Sequence, residues 1–224
     1  MRRRALIAGA TGLTGSRLLA LLLAEPAYER VHAVIRRPLP ATQRPADPTG
    51  AEKLVEHVVD LGSPRLLVDL PAVDDVYLCL GTTIRAAGSR AAFRQVDFDA
   101  TVSLARLARR LGASRCAAIS ALGADASSPG FYLRVKGETE RALATLGYRS
   151  LTVLRPSLID GERTERRPGE RLALALSRPV SAWLPGRWRP VSADAIARCM
   201  RSAVLRGEPG LRVIESDRIA QDAG

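Results

Sequence analysis

The sequence predicts an α/β fold: a parallel, doubly wound sheet with helices on both faces. Three observations predict it. Short apolar runs alternate with stretches of helical periodicity up to about residue 160. A glycine-spaced turn, Gly9-Ala10-Thr11-Gly12-Leu13-Thr14-Gly15, leaves the first apolar run and opens the first helical stretch. The length, 224 residues, suits one domain with a full core and is short for two.

The elements follow in order. Ala5 to Gly9 reads as the first strand, and Thr14 to Ala24 as a helix with Leu18, Leu19, Leu22 and Leu23 on one side. Arg30 to Ile35 is the second strand. Pro38 to Gly50, with prolines at 38, 40, 45 and 48, reads as a loop. Val55 to Leu61 and Asp75 to Leu80 are the third and fourth strands. A long helical pattern runs from Arg90 to Leu111, with Val96, Val102, Leu104, Leu107 and Leu111 as its apolar residues. Arg115 to Ser120 is the fifth strand, Tyr132 to Leu146 a helix, and Ser150 to Leu154 the sixth strand. The stretch from Gly161 to Pro190 is basic, proline-rich and less regular. Ser192 is placed to cap a further helix, and Leu211 to Ile214 forms a last strand. The expected organisation is one domain over 1–224, with a core to about 160 and a small substrate-side region over about 161–224.

Composition narrows the function classes. The net charge is +11, almost all of it arginine spread along the chain, and aromatics make up 4%. Without an interleaved aromatic platform, the charge reads as a solvated surface with some pull on anionic ligands, not as a nucleic-acid interface. No apolar stretch reaches membrane-spanning length. Met1-Arg2-Arg3-Arg4 has the outline of a secretory leader, but Gly9, Thr11, Gly12, Thr14 and Gly15 punctuate what would be its apolar core, so these residues read as mature structure. Cys79, Cys116 and Cys199 are few, odd in number and far apart, which argues against a disulfide framework or a zinc site. A cytoplasmic location is expected.

The glycine turn has spacing G-x-x-G-x-x-G. Residues without Cβ let a backbone approach a pyrophosphate, and the helix N-terminus adds free amides and a favourable dipole. Thr11 and Thr14 add hydroxyls. This strand–turn–helix context predicts dinucleotide binding in a Rossmann-type sheet through Gly9, Thr11, Gly12, Leu13, Thr14 and Gly15. Ile35-Arg36-Arg37 ends the second strand where NAD sites usually carry an acidic residue. Guanidinium groups there suit a 2′-phosphate, so NADP(H) is the expected cofactor, with Arg36 and Arg37 as its ligands.

Tyr132 and Lys136 stand four residues apart on a predicted helix and so share a face. A neighbouring ammonium favours a phenolate, which fits the tyrosine for proton exchange with a carbonyl or alcohol oxygen during hydride transfer. The chain has two lysines, Lys53 and Lys136, so one lying beside a tyrosine is notable. Ser120 ends the fifth strand, where ligands of doubly wound sheets sit, and could orient the reacting oxygen; it could equally cap a loop. Asp60, at the end of the third strand, could accept from an adenine amino group or cap its loop. His32 and His57 read as structural. Asp97 and Asp99 are two apart on a helix, so they form no paired-carboxylate site.

Together, the turn, Ser120 and the Tyr132/Lys136 pair resemble the short-chain dehydrogenase/reductase superfamily, in particular its atypical members. Cys79-Leu80-Gly81-Thr82-Thr83, Ser120-Ala121-Leu122-Gly123-Ala124-Asp125, Tyr132 through Glu138, and Arg167-Pro168-Gly169-Glu170 look like the Tat-interacting-protein-type oxidoreductases. The resemblance implies bound NADPH, Tyr132 as proton donor or acceptor, Lys136 as its partner, and Leu80, Gly81, Thr82, Ile159 and Arg167 near the cofactor. One departure stands out: relatives often carry two serines where this chain has Ser120-Ala121. The leading expectation is an NADP(H)-dependent oxidoreductase acting on a small carbonyl or alcohol. An NADPH-binding redox sensor that reports to a protein partner, and a sugar-nucleotide epimerase, are the rival readings.

Overall fold

The computed structural model describes residues 2–60, 70–160, 186–219 and 221–222. Its described strands are β1 (Arg3–Ala8), β2 (Tyr28–Ile35), β3 (Leu54–Val58), β4 (Asp75–Leu78), β5 (Arg115–Ile119), β6 (Ser150–Arg155), β7 (Ile159–Asp160), β8 (Val191–Ser192) and β9 (Gly210–Glu215). Seven of them form one sheet in the order β3-β2-β1-β4-β5-β6-β9, every pairing parallel. The chain order reverses between β1 and β4, and at such a switch point a crevice opens beyond the strands' carboxyl ends.

Both faces of the inner strands β1, β4 and β5 are buried, which is why these are nearly continuous apolar runs instead of alternating ones, whereas the edge strands β3 and β9 are half-buried or exposed. Along β1, Ala5 and Ile7 point to one core and Leu6 and Ala8 to the other. The first core packs against Leu18, Leu19 and Leu22 of α1 (Leu13–Ala24) and Ile196, Met200 and Val204 of a C-terminal helix (Ala193–Arg206). Ser192 caps that helix as expected, its hydroxyl accepting from the Ala195 amide at 3.1 Å. The second core packs against Leu104, Ala105 and Ala108 of one helix and Leu143 of another, whose bounds are Thr101–Arg110 and Phe131–Ala144.

Several details differ from the sequence reading. The expected loop over 38–50 contains a 3-10 turn, Ala41–Gln43, and the start of a short helix α2 (Pro48–Lys53). Asp47 caps α2 by accepting from the Gly50 amide at 2.6 Å, and Pro48 occupies the first turn, where its missing N–H costs nothing. The helix expected over 90–111 is present but composite: α3 (Ile84–Ala87) precedes α4 (Arg90–Arg94), a π-helical turn spans Gln95–Ala100, and α5 (Thr101–Arg110) follows. The helix α6 (Phe131–Ala144) then leads to β6, and α7 (Ala193–Arg206) and α8 (Ser216–Ile219) flank β9. A two-stranded parallel pairing of β7 with β8 was not foreseen.

At the amino ends of the strands a buried charge cluster ties four of them together. Asp75 of β4 is fully buried, 2.6 Å from Arg115 of β5 and 3.4 Å from Arg3 of β1. It also accepts from the Tyr28 hydroxyl of β2 at 2.8 Å, and Tyr28 meets the Tyr77 hydroxyl at 2.7 Å.

His32 on β2 and His57 on β3 meet across the sheet, Nδ1 to Nε2, at 2.9 Å. Burial first, then His57, Arg4 and Arg30, push His32 down to about 4, and burial pushes His57 down as well. The folded pair therefore resists protonation that the unfolded chain accepts at about pH 6.5. Its stabilisation is full above that pH and is lost as pH falls towards 4. The urea midpoint should drop across this window, and His32→Gln should flatten the drop; an unchanged slope in the variant would show that the pair contributes nothing.

Candidate active site

The glycine turn sits where β1 ends. Gly9 has φ +84°, and a Cβ there would lie 2.5 Å from the Cys79 carbonyl oxygen at the end of β4. A Cβ on Gly15 would lie 2.0 Å from the Gly9 oxygen. These two glycines are therefore required by the chain's packing against itself, not directly by a ligand. Gly12 differs: it is exposed, it is the N-cap of α1, and a Cβ there meets only the Gly9 oxygen, at 3.3 Å. No side chain caps α1, and no acidic residue lies in its first turn. The amides of this helix end are thus presented with the positive end of the dipole and no competing carboxylate. Thr11 is exposed and Leu13 half-buried, whereas Thr14 is buried, so Thr11 is the outward hydroxyl of the two.

Because the strands are parallel, every loop after a strand emerges on the same edge. Arg36 and Arg37 follow β2 directly and are exposed, and neither has an ion pair among the described residues. Asp60 lies just past β3 and is exposed. Leu80, Gly81 and Thr82 follow β4, with Leu80 and Thr82 half-buried. Ser120 follows β5. From β2 to β5 is three strand spacings, about 14 Å, so the edge forms a long shelf. Ile159 is set apart, half-buried in β7 and paired with Val191. Arg167 lies outside the described residues.

Ser120 is buried, and its Oγ finds no hydrogen-bond partner among the described residues. Such an orphaned hydroxyl at a strand end has its hydrogen-bonding capacity free for a ligand. Ala121 beside it is buried too. Tyr132 lies in the first turn of α6, with its ring against buried Phe93 at a centroid distance of 5.5 Å and its residue 37% exposed.

Lys136, one turn on, is buried, and its Nζ lies 2.6 Å from Asp97 Oδ1 in the π-helical turn. Burial works against its charge, but Asp97, with Tyr132 and Glu140 behind it, outweighs burial and holds the ammonium above its ordinary pKa. Asp97 is the functional-site residue that sequence reasoning missed. Set beside Asp99, it looked unpaired; its partner is on another helix. A signal was present: Phe93, Asp97, Ala100 and Leu104 follow helical spacing, which puts a carboxylate in the middle of a buried stripe.

The sequence profile of a family described as NAD(P)H-binding matches residues 9–178. Protein FMP52, mitochondrial, from Candida albicans is 30% identical over 91% of this chain and 89% of its own length. The protein fmp52, mitochondrial, from Aspergillus fumigatus is 35% identical over 90% of this chain and 87% of its own. Among solved structures, the Bordetella bronchiseptica enzyme WbmF in complex with NAD+ superposes with a TM-score of 0.70 at 14% identity, covering 99% of this chain and 77% of that one. A short chain dehydrogenase family protein from Francisella tularensis gives 0.69 at 13% identity, covering 99% and 100%. At these identities the structures bear on fold alone. The expectation of a cytoplasmic location is corrected by the relatives: those matching nine-tenths of the chain carry mitochondrial in their names.

The glycines should separate fold from binding. Gly12→Ala should keep its melting temperature within a few degrees yet lose dinucleotide binding at least tenfold, whereas Gly15→Ala should unfold at markedly lower temperature. Thermal melts beside cofactor titrations check both, and equal damage from the two would contradict the assignment.

Proposed function

The chain belongs to the NAD(P)H-binding family, within the short-chain dehydrogenase/reductase-like superfamily, and from that membership we propose that it is an NADP(H)-dependent oxidoreductase acting on a small carbonyl or alcohol. The observation that carries the reading is the make-up of one edge of the sheet: a glycine turn with no side-chain cap in the middle, two arginines without an ion pair among the described residues on one side, and on the other a buried hydroxyl without a hydrogen-bond partner among them and a helix-borne tyrosine.

When bound, the nicotinamide supplies or accepts the hydride. The first amides of α1 hold the diphosphate, an anion at a helix N-terminus. Arg36 and Arg37 take the 2′-phosphate by charge-assisted hydrogen bonds; the residues that directly follow β2 are arginines where NAD sites usually carry an acidic residue, and this favours NADP(H) over NAD(H). Ser120 donates to the substrate oxygen and orients it. Tyr132 gives a proton to that oxygen in reduction or takes it in oxidation, and Lys136 supplies the adjacent positive charge. A binder with little turnover is the second reading, favoured by Ala121, which leaves Ser120 as the one hydroxyl of that pair.

Fluorescence titration should show NADPH binding more tightly than NADH. The double variant Arg36→Ala/Arg37→Ala should weaken NADPH by roughly tenfold or more, with NADH changed less than about twofold. Equal or tighter NADH binding by the parent protein would sink the cofactor assignment. With a panel of carbonyl compounds, Tyr132→Phe should cut turnover by about 100-fold or more and leave cofactor affinity nearly intact. Tight NADPH binding with no consumption on any carbonyl would favour the binder instead.

A further inference from the structure

Arg36 and Arg37 occupy a short stretch of chain that is pinned at both ends to the neighbouring strand. On the near side, the Ile35 carbonyl that closes β2 accepts from the Val59 amide, just past β3, at 2.8 Å. On the far side, the Leu39 amide donates to Glu56 Oε2 of β3 at 2.9 Å. Leu39 stands between Pro38 and Pro40, so its amide is the one N–H in those three residues. Its side chain is buried in the first core. Each proline also biases the residue before it, Arg37 and Leu39, towards extended backbone. The other oxygen of Glu56, Oε1, lies 2.9 Å from the guanidinium of Arg44, which ends the 3-10 turn by which the loop returns. Glu56 thus holds both limbs of the 36–44 loop, one with each oxygen.

We propose that Glu56 is a positioning residue for cofactor selectivity: by fixing Leu39, it holds Arg36 and Arg37 in the arrangement that receives a 2′-phosphate. The inference rests on the reading of the two arginines given above, and it gives Glu56 no contact of its own with the cofactor. A long, flexible arginine loses freedom when it binds, and a backbone held in place beforehand reduces that loss. A stretch tethered at one end alone would leave both arginines to swing with the loop. Plain stabilisation of the loop accounts for less. The Glu56–Arg44 pair is open to water on the arginine side, 53% exposed, and such a pair adds little to stability. A carboxylate close to an anion site also opposes the anion unless its charge is engaged. Here it is engaged, by a guanidinium on one oxygen and a backbone amide on the other. Arg36 and Arg37, between the two pins, are exposed and have no ion pair among the described residues.

Charge and positioning predict opposite signs, which makes the test direct. By charge alone, removing a carboxylate close to an anion site tightens NADPH. With Glu56 as a positioning residue, Glu56→Ala should weaken NADPH by at least about fivefold and leave NADH within about twofold, because NADH has no 2′-phosphate to lose. Glu56→Gln keeps an acceptor for the Leu39 amide and should stay within about threefold of the parent protein for NADPH. Fluorescence titration of each protein with both dinucleotides gives these ratios and needs no turnover. A merely structural role would weaken both dinucleotides alike and leave their ratio where it was. An unchanged ratio in Glu56→Ala therefore overturns the proposal, and so does tighter NADPH binding. If that variant does not fold, amide exchange in the parent protein decides. Leu39 should exchange at least about tenfold more slowly than an unstructured amide, and exchange at the unstructured rate overturns the proposal. A parent protein with no preference for NADPH defeats the reading of the arginines and this proposal with it; a preference undiminished in Glu56→Ala defeats this proposal alone.

Discussion

Backbone meets backbone, with no room for a side chain, where β1 leaves the sheet, and the rest of the molecule is organised around that contact. A Cβ at Gly9 would collide with the Cys79 carbonyl, and one at Gly15 with Gly9 itself. The chain can therefore turn from strand to helix within four residues, with the turn itself packed against the end of β4. A looser turn would move the helix end away from the switch point, and the amides that make the shelf attractive to an anion would face solvent elsewhere.

The parts of this fold that were legible from sequence are those whose physics is local. Ala5–Ala8, Ala33–Ile35 and Cys116–Ile119 are apolar without alternation because parallel strands bury both faces, and α1 and α6 carry their apolar stripes in plain view. Asp47-Pro48 was read as a breaker although an aspartate followed by proline also begins a helix; the residues are the same, and only the cap geometry tells them apart. The pairing of Ile159 with Val191 spans thirty-two residues and involves two positions on each side, too short for any periodicity to register.

The site divides the same way. The glycine turn, Arg36, Arg37 and Tyr132 were visible because each belongs to a contiguous motif, and Ser120 because strand ends can be counted. Asp97 was not, since what defines it is an ion pair with a residue thirty-nine positions later. A single buried carboxylate reads as an oddity until its counter-charge is known, and long-range electrostatics leaves little trace in one sequence. The address of the protein was equally illegible, for a different reason: a compartment is read by receptors and not by the folded core.

The cluster at the other pole of the sheet has its own consequence. Asp75, held by Arg3, Arg115 and Tyr28, nails together the roots of β1, β2, β4 and β5. The loops at the crown share none of these bonds. Apart from Gly9 and Gly15, whose close packing the fold itself needs, exposed residues of the shelf can be exchanged without touching the bonds of that base. A lineage can refit such a molecule to a new small compound by editing its crown alone, with the foundation inherited untouched.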